Sequence, residues 1–274
     1  MRRPGEKSNL RFQTSEQTKN TRRRRTALLF LILLLAIAAA STFAILKETG
    51  WAQKREEQTV NKTNMKSEVD LLIGGATTEG NLVFLATIEM NTGNSSFKVR
   101  AYDPHVSYEG KTFQEIYGGE DADMISEEHF IKCFAKKYNT NVDKFVIVKE
   151  PNAANIMFCL GAPTVNIPQD VDYSGNDFSL HLMEGDQTLG GAEFFNYLRW
   201  LGRQDKSSAY KAQANVLADL IDQSLNESNA EAGQSIFETL SDQVDTDISI
   251  NDFARYADFL AGLSEPSNRT ITAD

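Results

Sequence analysis

The stretch KVRAYDPHVSY, residues 98–108, ends an alternating apolar run in Asp103-Pro104-His105. A carboxylate and an imidazole two positions apart, at the end of a strand, are residue types suited to general acid–base chemistry. The competing reading is a turn, because Asp-Pro starts turns and His105 then simply meets solvent. The close glycines of IGGATTEG (73–80) lack the Gly-x-Gly-x-x-Gly order and a following helix, which favours a plain loop over a phosphate cradle. Cys133 and Cys159, with His105, His129 and His181, are scattered without zinc-type spacing, so no metal site is expected. Whether the two thiols are joined or free stays open.

Hydrophobic periodicity supplies the elements that must position these groups. VDLLIGG (69–75), NLVFLATIEM (81–90) and FKVRAY (97–102) predict three strands before any helix, the last two separated by the turn-forming NTGNSS. SEEHFIKCFAKKY (126–138) predicts a helix. Ser126 can cap it, Glu127 and Glu128 suit its positive end, Lys136 and Lys137 its negative end, and Phe130, Ile131, Phe134 and Tyr138 share a face. VDKFVIVKE (142–150) is a strand, after which Pro151 is placed to open a helix. PTVNIPQDV (163–171) and DFSLHLMEG (177–185) predict two further strands. Four helices follow, TLGGAEFFNYLRWL (188–201), SSAYKAQANVLADLIDQSL (207–225), GQSIFETLSDQVDT (233–246) and SINDFARYADFLAGL (249–263), the last capped by Ser249. Interspersed strands and helices imply an α/β or α+β fold with a mixed central sheet flanked by helices.

Charge divides the chain. Residues 1–25 hold nine Lys or Arg against Glu6 and Glu16, a net of +7; since the whole chain carries −10, the remainder carries −17. So acidic a domain repels phosphate backbones, which argues against nucleic acid as its partner. Between the two lies Thr26–Leu46, 21 residues without a charge. At about 1.5 Å per residue this run makes roughly 30 Å of helix, one hydrocarbon core. Arg22–Arg25 directly before it keep the N-terminus cytoplasmic and send the acidic part outside. A cleaved signal peptide is the rival, given AIAAAS, but the long basic leader and long apolar run favour an uncleaved anchor. The expected organisation is a basic cytoplasmic tail (1–25), a transmembrane helix (26–46), a polar linker (47–66), an extracellular domain (67–263) and a flexible tail (264–274). The protein is thus expected in the cell membrane as a single-pass chain.

Four further stretches carry a resemblance. KTFQEIYGGEDADMISEEHFIKCF (111–134) is similar to a Lys-(Ile/Leu)-Asn-Ala-Ala-Tyr-x-x-Gly-Gly segment and the helix after it. VDKFVIVKEPNAANIMFCLGAPTVNIPQDV (142–171) is similar to an Asp-x-(Tyr/Phe)-Val strand, a helix and a Gly-Gly-Val-x-Val-x-Val-Pro turn. GDQTLGGAEFFNYLRWLG (185–202) is similar to Gly-x-Gln-x-Leu-Asp-Gly-x-x-Ala-Leu-x-Tyr-x-Arg-x-Arg, and TDISINDF (246–253) to a closing Thr-Asn-(Leu/Ile)-Ser-x-x-Asp. In this order, from VDLLIGG onward, the chain resembles the LytR-CpsA-Psr family, extracellular domains that attach polyprenyl-linked polymers to bacterial cell walls.

The departures from that family fall at the chemistry. Its third strand ends in Ile-Pro-Arg-Asp, where the Arg handles phosphate; AYDPH puts Asp103 or Pro104 there. Asn81 stands where the family has an Asp that helps hold a divalent cation. Of the Arg-x-Arg pair Arg199 remains and Leu201 takes the second place, and the later Arg-Gln becomes Ala212-Gln213 with Lys211 beside it. Guanidinium forks and a carboxylate-held cation are what a pyrophosphate leaving group needs. A carboxylate at about 4 Å from a phosphate oxygen is instead unfavourable by on the order of 4 kcal/mol at an effective dielectric near 20.

The resemblance therefore implies a degenerate site with no catalytic residue. Arg199, Lys111, Lys211 and Gln213 are the candidate phosphate- or lipid-binding residues, and Asn81, Asp103, Leu201 and Ala212 the substituted ones. No cofactor is implied, Mg²⁺ being expected only of an active enzyme. The implied function is a membrane-anchored, non-catalytic relative of the glycopolymer transferases that binds lipid-linked polymer. The alternatives are an active transferase using Arg199, Lys111 and Lys211, and a ligand-free scaffold. Implied partners are the cytoplasmic membrane, polyprenyl-linked glycopolymer or peptidoglycan, and active paralogues. The apolar faces around Phe130, Val216 and Leu220 would line a prenyl tunnel or form ordinary core. The resemblance also places the helices of Cys133 and Cys159 near one sheet, where a bridge would close a 27-residue loop, worth roughly 3 kcal/mol.

Overall fold

The computed structural model describes residues 65–118 and 127–274. The expected anchor Thr26–Leu46, the linker up to residue 64 and Ser126 lie outside them. Among the described residues no helix is long and apolar enough to cross a membrane.

β1 (Glu68–Ala76), β2 (Leu82–Asn91) and β3 (Ser96–Tyr102) form an antiparallel meander. A small hairpin, β4 (Ser107–Tyr108) and β5 (Lys111–Thr112), leads into α1 (Phe113–Gly118) and α2 (Glu127–Tyr138). β6 (Lys144–Lys149) then returns parallel to β1, and α3 (Glu150–Leu160) follows. Next come β7 (Thr164–Ile167), β8 (Val171–Ser174), β9 (Ser179–Leu182) and β10 (Gly185–Thr188), the β8–β9 hairpin nested inside the β7–β10 pair. α4 (Gly191–Leu201), α5 (Lys206–Ser224) and α6 (Glu227–Ser241) precede β11 (Val244–Thr246), α7 (Ile250–Ala261) and β12 (Thr270–Ala273). The main sheet has six strands in the order β11-β6-β1-β2-β3-β12. This is the mixed sheet flanked by helices that the sequence pattern implies.

Alternation along the strands builds the layers. Leu71 and Ile73 of β1 and Val146 and Val148 of β6 join one core with α3 to α7. Leu72, Phe145 and Ile147 point the other way, onto Phe113, Phe130, Cys133 and Phe134 of α1 and α2. A period of two sends neighbours to opposite faces, and covering both faces makes the central strands almost wholly apolar. α7 begins as its sequence predicts. Ser249 Oγ accepts from the Asp252 N–H at 3.2 Å while Ser249 N–H donates to Asp252 Oδ2 at 2.9 Å, a reciprocal cap.

Three expectations change. The tail 264–274 is not frayed, because β12 pairs parallel with β3. Arg269 pins its approach, with its side chain only 4% exposed, bonding to Asp222 and donating to the Leu263 and Ser264 carbonyls at 2.7 and 3.2 Å. The predicted helix 233–246 stops at Ser241, and Val244–Thr246 becomes an edge strand on β6. The stretch 163–171 is two strands, broken after Ile167 where Pro168 has no N–H for a ladder. Of the two thiols whose state the sequence leaves open, Cys133 is free and buried. Its helix packs on the second face of the sheet, whereas Ala153, Ile156 and Met157 of α3 belong to the first.

Candidate functional site

A cleft of about 240 Å³ opens where β1 and β3 end and β2 begins. One wall is formed by the end of α4 and the tip of the β8–β9 hairpin: Arg199, Gly202, Arg203 and Asp177. The other is formed by Thr77, Asn81, Leu82, Pro104, His105 and Gln114, and Tyr210 of α5 also lines it.

The helical wall is built by close packing. Gly191 lets α4 start against α3, since a Cβ there would overlap the Ala153 carbonyl. Gly190 N–H donates to Glu193 Oε2 at 3.0 Å, and Phe194, Phe195, Leu198 and Leu201 enter the core. That leaves Arg199, 13% exposed in its side chain, facing the cleft, where its Nη2 meets Asp177 Oδ2 at 2.8 Å. Arg203, one turn further on, binds both oxygens of Asp177 and the Tyr173 hydroxyl. Both guanidiniums lie over the Phe178 ring, with Arg199 Cζ 4.8 Å and Arg203 Cζ 4.9 Å from its centroid, close enough for cation–π attraction. The Arg203 hydrogen bond, aided by the charge of Arg199 and opposed by partial burial, holds the Asp177 carboxyl below its ordinary range.

The facing wall is neutral and tied to backbone. Gln114 Nε2 donates to Gly80 O and Asn81 Oδ1, both at 3.2 Å, and its Oε1 accepts from Leu82 N–H. Thr77 N–H reaches Asn81 O at 2.8 Å. Asp103-Pro104-His105 is a turn. Asp103 Oδ1 accepts the His105 backbone N–H at 2.8 Å, and Gln114 N–H donates to Pro104 O at 2.9 Å. Burial, then the hydrogen bond to Asp103, pushes the Tyr210 phenol up. The carboxylate of Asp103 is thus engaged by donors of the fold.

The structure sorts the sequence candidates. Arg199 lines the cleft. Gln213 is fully buried behind it, its Nε2 donating at 2.7 Å to the Leu198 carbonyl, so it fixes the end of α4. Lys111 and Lys211 are exposed and do not line the cleft. Leu201 is core and Ala212 packs partly against it. The second guanidinium comes from Arg203, which spacing from Arg199 could have revealed, because residues four apart share a helical face and residues two apart do not. Asp177, the other residue missed, lies on a loop with no local signal for its partner. Asn81 Oδ1 and Asp103 Oδ1 both accept from protein donors, and among the described residues no three His, Cys, Asp or Glu side chains converge. The cleft residues do not fit a divalent cation.

Phe130, Val216 and Leu220 are buried core, Phe130 on the opposite face of the sheet from the other two. A second cavity of about 100 Å³ lies at the far end of the sheet, floored by Val69, Leu71, Ile88, Met90 and Ile248. On the sheet face between the two cavities, Ile73, Phe84 and Ala86 are buried, and Phe84 packs edge-to-face on Phe195 at 6.1 Å.

The sequence profile of the LytR_cpsA_psr family matches residues 115–272. No curated protein matches the chain. Several solved structures share its fold. A protein from Eubacterium siraeum DSM 15702 is 16% identical with a TM-score of 0.65, over 79% of this chain and 87% of that one. TagV of B. subtilis is 19% identical with a TM-score of 0.60, over 76% and 85%. TagT bound to LIIa-WTA is 16% identical with a TM-score of 0.52, over 80% and 84%.

Proposed function

The chain belongs to the LytR-CpsA-Psr family, and on that premise we propose that it is a membrane-anchored, outward-facing member that holds the anionic head of a lipid-linked envelope polymer without transferring the polymer. The observation that carries this reading is the convergence of Arg199 and Arg203 on one carboxylate, in a cleft whose opposite wall offers neutral amides. Planar forked donors suit phosphate oxygens. TagT, a relative in fold, holds LIIa-WTA, and the ligand class proposed here is likewise a lipid-linked polymer. The volume of the cleft suits a head group, being smaller than the roughly 300–1,000 Å³ of pockets for drug-sized ligands.

Transfer makes a heavier demand than binding. Charge that develops on a leaving pyrophosphate needs donors aimed at it, and removing one such donor commonly lowers turnover by about two to three orders of magnitude. Here the corner at residues 103–105 supplies a carboxylate instead of a guanidinium, and Asn81 is committed to Gln114. Two guanidiniums remain for binding.

The test uses the full-length chain in nanodiscs with a labelled lipid-linked glycopolymer and peptidoglycan as acceptor, beside an active relative. Expected are lipid binding that Arg199→Ala weakens and no labelled glycan on the acceptor. Turnover abolished by Arg199→Ala would overturn the non-catalytic reading and promote the active transferase, for which Arg203 would then replace the absent second arginine. The topology part of the proposal, motivated by Arg22–Arg25 before the uncharged run, predicts that protease added to intact protoplasts degrades the chain beyond Lys47. Protection of that region would sink it.

A further inference from the structure

Asp177 is an anion already seated on the two guanidiniums that the cleft offers. It is carried by the four-residue loop between Ser174 and Ser179, which pair across the β8–β9 hairpin. The base of that hairpin is fixed, because Val171, Leu180 and Leu182 are buried in the core. The turn is divided: Phe178 is buried in the same core, its ring centroid 4.6 Å from that of Tyr173, whereas Ser174, Asn176 and Asp177 are exposed. One backbone bond closes the turn, Gly175 N–H to Phe178 O at 3.0 Å, and the Asp177 side chain is secured by its contacts with Arg199 and Arg203.

We propose that Asp177 is a latch, an internal carboxylate that occupies the Arg199–Arg203 pair until a phosphate or pyrophosphate displaces it and the turn Gly175–Asp177 moves aside while Phe178 stays in the core. The proposal rests on the anion-binding reading of the cleft and adds its gating. A carboxylate carries one charge on two oxygens, whereas a phosphate presents up to two charges on three, and forked guanidinium donors reward the difference. A ligand bearing a single carboxylate gains nothing by replacing Asp177. The latch therefore selects for phosphate-type heads and keeps the arginines paired when none is present. A control sits on the same hairpin: Asp172 pairs across the strands with His181 at 2.8 Å, both well exposed and away from the cleft lining.

The experiment titrates inorganic pyrophosphate into the full-length chain in phosphatidylcholine nanodiscs by calorimetry. Asp177→Asn should bind about tenfold tighter or more, the competing charge having been removed beside two cations, while Asp172→Asn should match the wild type. Equal or weaker binding by Asp177→Asn, with wild-type binding still lost in Arg203→Ala, overturns the latch and leaves the anion site standing. Absence of binding in both wild type and Asp177→Asn overturns the anion site and the latch together. Hydrogen exchange on the wild type needs no variant. Saturating pyrophosphate should speed exchange at the amides of Gly175–Asp177, and slowed exchange there means that the turn closes over the ligand, which overturns the latch.

Discussion

On one wall of the cleft two guanidiniums are held by a carboxylate on a loop tip; on the other, Asn81 and Gln114 hold each other and the backbone around them. The contacts of the first wall are between charged side chains, so a ligand anion can take over the role of Asp177. Those of the second wall satisfy backbone groups at the Thr77–Leu82 connection, and no ligand can replace them without unmaking the loop. The first wall is built to exchange partners and the second to stay put. The Asp103 corner belongs to the second: Asp103 closes its own turn and accepts from Tyr210, which makes it part of the scaffold.

The contrast is sharpest in stability. Phe113 precedes Gln114 of the amide wall and is fully buried, with its ring 6.0 Å from Phe130, 5.7 Å from Phe134 and 5.8 Å from Tyr138. Phe113→Ala should destabilise the domain by about 3–5 kcal/mol, the range for deleting a buried aromatic ring, measured by chemical unfolding followed by fluorescence. A loss below about 1 kcal/mol would mean that this layer is loosely packed.

The arginine wall should fail in the opposite way. Arg199→Ala with Arg203→Ala should weaken pyrophosphate binding by about 100-fold or more, since two charge-assisted contacts are lost, while unfolding shifts little. Much of the pair energy with Asp177 is screened, because Arg203 and Asp177 are each more than a third exposed. Unfolding of the double variant at the scale of Phe113→Ala would erase the distinction between the walls.

Much of this was legible in the sequence and some was not. The continuous apolar runs in VDLLIGG and KFVIVK report two buried faces directly, and Ser249 announces the start of α7. β11 and β12 are three and four residues long, too short for any period to register, and they exist because a neighbouring strand edge and Arg269 hold them. At the cleft, Arg199 stood out through the resemblance to the family's Arg-x-Arg pair. Arg203 was hidden because it follows Gly202 at the helix end, and matching an Arg-x-Arg spacing draws attention to Leu201. On a helix the second residue along lies about 200° away, and Leu201 accordingly enters the core. Asp177 belongs to a contact 22 residues distant from Arg199, and no local pattern encodes it.

Acid should loosen the charged wall before the neutral one. The folded pKa of Asp177 lies below its ordinary value of 3.8, so its stabilisation is fully present above that value and is lost as pH falls through the depressed one. The difference in melting temperature between wild type and Asp177→Asn should stay constant from about pH 7 to about pH 5 and close below about pH 4. A gap that closes near neutrality instead would assign it to another group.

The smallest effect tests residue 81 itself. Asn81 Oδ1 accepts from Gln114 Nε2 at 3.2 Å, and its backbone N–H donates to Thr77 Oγ1 at the same distance. Asn81→Asp keeps the acceptor and leaves the backbone bond alone, and the side chain is exposed. Stability should therefore change by no more than about 0.5 kcal/mol, as for most surface changes. The added carboxylate shares a cleft with two guanidiniums and competes with a ligand anion through solvent, so pyrophosphate affinity should fall by only about two- to fivefold. Millimolar Mg²⁺ should leave the melting temperature of both proteins unchanged. Restoring one carboxylate does not release Asp103 from the His105 N–H and Tyr210, and a cation of this kind needs several free oxygens. A Mg²⁺-dependent rise in Asn81→Asp alone would show that the neutral wall is one substitution away from holding a metal, and that residue 81, rather than the Asp103 turn, decides the difference between the two walls.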